Sequence, residues 1–428
     1  MTAPSYVETW YRTRLDDPGA RPALAEAVEA EVCVVGGGLA GLTTALELAR
    51  AGRTVCVLEA KRIGWGASGR NGGFVSPGYS LGHANLVRRL GAAHAADLHR
   101  LSIEGLRDVA ANIAALGVTG AEPVKGYLSA SRYPAAAELR PYRDQMVRDF
   151  DYPIDFWPRE QVGEALVSDR YHEGLFQPEA FHIDPLCYAR ALAGEIERLG
   201  GRVYETSEVS ALAAAGASRR VTAGAGSVTA PQVVIATGGY TGRLNARLAA
   251  SYLPIATYVM LTEANPELIA TAIRTTAAIG DRRRAGDYYR VVDGGRRVLW
   301  GGKITTRTSE PHRLADLLHQ TMFSTYPQLR DLRVELAWTG LMSYARHLMP
   351  QIAALGPGLW ACTAFGGHGV NTTAIGGKVI AEAILGASDR YRLFAPFGLA
   401  WNGGPAGRLA VQATYWWLQA QDAIHERR

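Results

Sequence analysis

The chain has 428 residues, enough for two or three domains and a sizeable core, and its 48% hydrophobic and 20% charged residues are ordinary globular values. Its 45 basic and 40 acidic residues leave a net charge of +5, and the basic clusters Arg219-Arg220, Arg282 to Arg284 and Arg296-Arg297 are interspersed with acids, which argues against a nucleic-acid groove. No apolar stretch reaches the length of a membrane span, the N-terminus lacks a leader pattern, and four scattered cysteines outside any CxxC pair imply no disulfide framework. A soluble, cytoplasmic protein with no membrane and no nucleic-acid partner is therefore expected.

Residues 1 to 30 carry Trp10 and Tyr11 and read as an arm packed on the core. The apolar run Val32 to Val35 has the β-branched content of a buried parallel strand. Gly36, Gly38 and Gly41 follow in GxGxxG spacing and open a helix, with Leu39 and Ala40 in its first turn. Gly52 closes that helix, and a second strand, Thr54 to Leu58, ends at Glu59, 59 − 41 = 18 residues beyond the third glycine. In such a unit the glycines permit a tight turn, close approach of a pyrophosphate and close helix packing, while the acid takes the ribose hydroxyls. The helix N-terminus supplies free N–H groups and positive dipole. The stretch thus predicts a bound dinucleotide lacking a 2′-phosphate.

Directly after Glu59 and Ala60 comes a loop with five glycines between Arg62 and Phe74, too rich in glycine for regular structure. Its backbone can approach a flat ring, with Ser68, Arg70 and Asn71 as donors beside Gly72 and Gly73. Leu86 to Leu116 reads as two helices broken at Gly91, and Pro134, Pro141, Pro153 and Pro158 read as turns. His182 and Asp184 are expected to cap or orient a loop before the helix Leu186 to Leu199. The segment Ala213 to Gly226 reads as a hairpin turn region. Pro231 to Gly239 is an apolar strand whose Thr237 and Gly238 either touch the cofactor or simply end a core strand.

Leu253 to Lys303 is strand-like, with Asp293-Gly294-Gly295 as a hairpin turn. Tyr288, Tyr289 and Arg290 alternate, so one face at most sees a pocket. Phe365 to Gly386 then repeats the glycine-loop-to-helix device, bringing Gly366, Gly367, His368, Gly369, Val370, Asn371 and Thr372 to a second helix N-terminus. The tail, with Trp401, Trp416 and Trp417, reads as a final amphipathic helix. No second dinucleotide fingerprint appears, so electrons enter from the substrate rather than from a nicotinamide.

These segments together resemble the FAD-dependent D-amino-acid oxidase, glycine oxidase and sarcosine oxidase family, most of all its gamma-glutamylputrescine oxidase branch. The resemblance rests on CVVGGGLAGL, LEAKRIGWGASGRNGG, VVIATGGY, DYYR, FGGHGVNTT and AVQATYWWLQAQD. It implies an α/β plus α+β fold. A discontinuous Rossmann-like FAD-binding domain (1–86, 150–250 and 336–428) would stand beside a substrate domain on a large mixed sheet (87–149 and 251–335). Gly36, Gly38, Gly41 and Glu59 would hold the ADP half, Ser68, Arg70, Asn71 and Gly73 the ring and ribityl chain, and Gly366 to Thr373 the pyrimidine edge.

The segment WTGLMSYARHLMP, where sarcosine oxidases attach flavin, holds no cysteine, so FAD is expected to be non-covalent. Asn371 stands where those enzymes place a carboxylate-gripping lysine. The implied reaction is hydride transfer from a C–H beside a neutral amine nitrogen to the flavin, with O2 as acceptor. His368, Arg290, Tyr289 and Lys303 are the candidate catalytic residues. His368 is either a flavin or substrate contact or a loop hydrogen bond; Arg290 is either an anion anchor or a sheet-surface salt bridge; Lys303 would assist oxygen. A quinone- or carrier-linked dehydrogenase and an RNA-modifying flavoprotein are the alternatives.

Overall fold

The computed structural model describes residues 5–242, 244–283, 286–306 and 313–426, so Arg284 of the basic triplet and the first four residues of the arm lie outside it. Three sheets build the molecule. The first has six strands in the order Gln351–Gly356, Leu359–Thr363, Gln232–Ile235, Val32–Val35, Val55–Leu58 and Arg202–Tyr204. All neighbours are parallel except the outermost Gln351–Gly356. Every residue of Val32–Val35 and Val55–Leu58 is buried, as their unbroken apolar runs require of strands covered on both faces.

One face of this sheet carries the helices Leu39–Arg50, Pro185–Arg198 and Gly369–Leu385. Glycine sets the spacing of the first and third. A Cβ at Gly377 would fall 2.7 Å from both Thr43 Cβ and the Thr44 nitrogen. The two helices can therefore run in close contact, with both N-termini at the same end of the sheet. The other face is covered by a four-stranded sheet, Ala27–Glu29, Gly226–Ala230, Ser218–Ala223 and Val209–Ala215. The expected hairpin region at 213–226 is part of this sheet.

The third sheet is large and mixed. Its order runs Val334–Ala345, Tyr252–Thr262, Arg297–Thr305, Tyr288–Val292, Ala278–Asp281, Val124–Ala130, Gly174–His182 and Phe74–Val75, with Asp155–Trp157 paired to Gly174–His182. The pairing of Ala278–Asp281 with Val124–Ala130 is parallel and the others antiparallel. The fold is thus α/β joined to α+β, as read from the sequence.

The expected division of the chain follows the sheets only in part. The strands at 155–157 and 174–182 belong to the large sheet although 150–250 was assigned to the nucleotide side, and Val334–Ala345 crosses the boundary at 336. The helix Ala92–Ala115, assigned to the substrate side, sends Leu98, Leu106 and Val109 into the core under the parallel sheet. One further expectation differs. Pro141 lies inside a helix, Ala136–Phe150, rather than in a turn. The break at Gly91 is present, with φ +83 between the helices His83–Leu90 and Ala92–Ala115.

Candidate functional site

A single cavity of about 940 Å³ runs from the C-terminal ends of the parallel strands to the face of the large sheet. That volume is at the upper end for ligand pockets. At the strand end, Gly36 has φ +114, and a Cβ there would lie 2.6 Å from the Ala236 carbonyl oxygen, so only glycine fits. A Cβ at Gly41 would lie 2.1 Å from the Gly36 oxygen, which places this glycine behind the turn, where it packs helix on strand, and off the cavity wall. Gly38, Leu39 and Ala40 line the cavity at the start of the Leu39–Arg50 helix, and Ser68 Oγ accepts a hydrogen bond from the Leu39 nitrogen at 2.9 Å.

Glu59 also lines the cavity, beside Ala60. Its carboxylate accepts from the nitrogens of Gly37 at 2.7 Å and Lys61 at 2.8 Å. Burial raises its pKa, and those two N–H groups work against the shift.

The glycine-rich loop after Glu59 is held by its own side chains. Arg70 donates to the carbonyls of Trp65 at 2.7 Å and Thr339 at 3.0 Å, and its guanidinium lies 4.3 Å from the Trp65 ring centroid. Asn71 donates to the Ala67 and Ser68 carbonyls and accepts from the Gly73 nitrogen. Ser68, Arg70, Asn71 and Gly72 reach the cavity, as do Thr237 and Gly238. Gly73 does not: with φ +79 it packs against the Ile183 carbonyl, 2.1 Å from where a Cβ would stand. From behind, the N-terminal arm buttresses the loop through Tyr11, whose hydroxyl donates to the Asn71 carbonyl at 2.7 Å.

Across the cavity stands the second helix N-terminus. Gly366, Gly367, His368, Gly369, Val370 and Asn371 line the wall, while Thr372 is buried behind it and donates to the His368 carbonyl. His368 occupies the N-cap position of Gly369–Leu385 and is half-buried; burial lowers its pKa and keeps the imidazole neutral at physiological pH. Asn371 sends its amide nitrogen away from the cavity, to the Ser102 carbonyl at 3.2 Å.

The sheet side is walled by phenols. Tyr127, Tyr288, Tyr344 and Tyr415 all face the cavity, and burial raises the pKa of each, that of Tyr415 to about 12. All four are neutral hydrogen-bonding groups at pH 7. Tyr127 and Tyr288 each lie close over a glycine: a Cβ at Gly280 would fall 2.0 Å from the Tyr127 hydroxyl, and one at Gly301 2.1 Å from a Tyr288 ring carbon.

Three of the four expected catalytic residues are not on the cavity wall. Tyr289 points to the opposite face of the sheet from Tyr288, fully buried and stacked on Trp300 with ring centroids 4.1 Å apart. Its hydroxyl meets those of Tyr171 at 2.9 Å and Tyr326 at 2.6 Å. Arg290 is buried under the N-terminal arm, bonded to Tyr11 at 3.1 Å, to the Ile183 carbonyl at 2.9 Å and to His182. It is neither a cavity anchor nor a sheet-surface salt bridge. Lys303 is the extra residue of a bulge, since Thr257 pairs with Ile304 and Tyr258 with Gly302, and it carries φ +52. His368 alone of the four reaches the wall. Asp184 caps the helix Pro185–Arg198, accepting from the Leu186 and Cys187 nitrogens at 3.0 Å.

The residues that sequence reasoning missed are mainly the phenols. Tyr288 is in the DYYR motif, one residue from the tyrosine chosen, and strand alternation by itself does not say which neighbour faces in. Tyr344 and Tyr415 sit in segments already singled out for other reasons.

The geometry fits FAD. Gly36 and Gly38 leave no room for a Cβ, the first turn of Leu39–Arg50 presents N–H groups to a pyrophosphate, and Glu59 lines the same cavity at the end of the neighbouring strand. Cys362 is the cysteine on the cavity wall, and burial pushes its thiol up to about 12, so it stays protonated. That supports a flavin held without a covalent bond.

The profile of the DAO family, described as FAD dependent oxidoreductase, matches residues 31–383. Gamma-glutamylputrescine oxidoreductase of Escherichia coli (strain K12) is 32% identical over 87% of this chain and 87% of its own length. A probable oxidoreductase, OrdL, of Haemophilus influenzae is 28% identical over 91% of this chain and 90% of its own. The crystal structure of glycine oxidase from Geobacillus kaustophilus superposes with a TM-score of 0.73 at 20% identity, over 87% of this chain and 99% of that one. With its family model matched over most of its length, the chain belongs to the DAO family of FAD-dependent oxidoreductases, enzymes of amines and amino acids.

Proposed function

We propose that the protein oxidises a C–N bond of a small amine or N-substituted amino acid resembling gamma-glutamylputrescine. The imine then hydrolyses to an aldehyde and an amine or ammonia, and O2 is reduced to H2O2. The observation that carries this reading is the phenol-walled end of the cavity, facing a neutral histidine at a helix N-terminus. The 32% identity to a gamma-glutamylputrescine oxidoreductase supports the choice of amine.

FAD, when bound, would supply the acceptor for the hydride, with its two electrons, that leaves the carbon beside the amine nitrogen. The protein's part is placement. Tyr127 and Tyr288 offer flat aromatic faces and fixed hydroxyls, a surface suited to an alkyl amine chain. His368, uncharged because burial lowers its pKa, adds no positive charge to the wall, and the half-buried cavity end favours the uncharged form of the amine nitrogen. The N–H groups at the start of Gly369–Leu385 and their dipole stabilise negative charge arriving beside them. Gly36, Gly38, Glu59, Ser68, Arg70 and Asn71 are proposed to hold the cofactor, with Gly41, Gly73 and Thr372 shaping it from behind.

Purified yellow protein mixed with gamma-glutamylputrescine, putrescine, sarcosine, glycine, D-amino acids and iminodiacetate under air tests the proposal by peroxide release. Peroxide with one amine supports it. Bleaching of the flavin without air but no peroxide under air assigns the electrons to a quinone or carrier protein. No bleaching by any of them overturns the reading.

A further inference from the structure

The C-terminal helix Gly404–His425 turns its polar side to the protein and its apolar side to solvent. On the inner side Tyr415 accepts a hydrogen bond from the Ile304 nitrogen at 3.1 Å, and Gln412 accepts from the Thr306 nitrogen at 3.1 Å. Asp422 is buried, and Glu426, just past the helix, reaches Arg283 at 3.3 Å. The outer side carries Leu409, Trp416, Trp417 and Ile424, exposed by 75, 61, 57 and 53%. Six of the ten large apolar side chains exposed among the described residues fall between Trp401 and Ile424, and Leu409, Trp416, Trp417 and Ile424 share one side of the helix.

Charge is sorted the same way. From Leu409 through Ile424 the only charged residue is Asp422, which is turned inward. The exposed titratable groups at the two ends of the helix are basic, Arg408 at one and His425 at the other; Glu426 follows, paired inward with Arg283, and the sequence then continues with Arg427 and Arg428. An indole-rich apolar stripe free of charge along its length, with a basic residue at each end of the helix and its acids turned inward, is the pattern of a helix that lies in the headgroup layer of a membrane.

We propose that this face of the C-terminal helix rests on an anionic lipid surface, with the helix axis parallel to the bilayer. A second copy of the chain fits the patch less well: whether two such helices pair parallel or antiparallel, basic ends meet basic ends, and the acids that would neutralise them are on the inner side. A spanning arrangement is ruled out among the described residues, where no helix is long and apolar enough to cross a membrane. Because Tyr415 also lines the cavity, the docked face and the substrate chamber share one helix. Docking concerns the outer face and is independent of which amine the enzyme oxidises.

The test is co-sedimentation of the FAD-loaded full chain with vesicles of phosphatidylglycerol mixed with phosphatidylcholine, and with phosphatidylcholine alone. Binding to the anionic vesicles, roughly tenfold or more above the neutral ones and weakened by salt, is expected. The double variant Trp416→Ser/Trp417→Ser should lose it while keeping its visible flavin spectrum, and Arg408→Glu should reduce it. Equal binding to both vesicles overturns the anionic assignment, and absence of binding, or binding unchanged in the double variant, overturns docking altogether. A wild-type dimer in light scattering that the double variant splits, without vesicle binding, assigns the patch to a second copy and overturns the proposal.

Discussion

Tyr288 lies across Gly301 of the neighbouring strand so closely that a methyl group at the glycine would stand 2.1 Å from the ring. The flatness of the cavity wall is therefore a property of the glycine as much as of the tyrosine. Gly301→Ala must tilt the ring toward the cavity, an overpacking of about 1–3 kcal/mol. The expected outcome is a KM for the amine raised roughly tenfold, since 1.4 kcal/mol is a factor of ten. The flavin absorbance per chain should stay unchanged.

Glu59 joins the glycine turn to the second strand by accepting from Gly37 and Lys61. Glu59→Gln removes the charge while keeping one acceptor oxygen. Hydrogen bonds to a charged group contribute about 1.5–3 kcal/mol, so FAD affinity should fall by roughly one to two orders of magnitude. Titrating apoprotein with FAD by fluorescence measures it.

Arg290 and Tyr289 are structural on this geometry. Arg290→Met leaves His182 and the Ile183 carbonyl without their donor, and a loss of roughly 1–3 kcal/mol is expected for each buried acceptor left unpaired. Protein that remains folded should keep the wild-type KM. Tyr289→Phe, which breaks a three-hydroxyl cluster off the cavity, should likewise lower the thermal midpoint and leave kcat unaltered.

Burial raises the Asp184 carboxyl from 3.8 to about 6. Between those values the folded chain holds a proton that the unfolded chain has released, so this residue's contribution is present at low pH and is lost as pH rises through about 6. Asp184→Asn cannot titrate yet can still cap the helix. The urea midpoint of the wild type, taken relative to that of the variant, should therefore fall between about pH 4 and pH 7, by on the order of 3 kcal/mol in free energy.

How much could be read in advance follows from what each residue answers to. Gly36 and Gly41 were legible because their spacing between a strand and a helix is a local pattern, and the Gly41 contact to the Gly36 carbonyl is only five residues away. Arg290 was not, because what covers it is Tyr11, nearly three hundred positions earlier, and no local pattern announces that contact. Tyr289 was mistaken for its neighbour because alternation fixes two faces without naming them. Pro141 was read as a turn on its local preference, which the tertiary packing of Leu139 and Met146 overrides. Gly73 and Thr372 sit one residue from wall positions, where sequence cannot distinguish touching the cofactor from shaping the backbone that does.

The central parallel sheet takes Val32–Val35 from near the start of the chain and Leu359–Thr363 from near its end, with Gln232–Ile235 between them. A growing polypeptide on the ribosome accordingly exposes the open edge of Gln232–Ile235 until Leu359–Thr363 has been made, and the helix Gly369–Leu385 that walls the cavity is made later still. Cofactor capture is then a late event of synthesis, and any truncation before about residue 385 should yield aggregation-prone, colourless protein rather than a weaker enzyme.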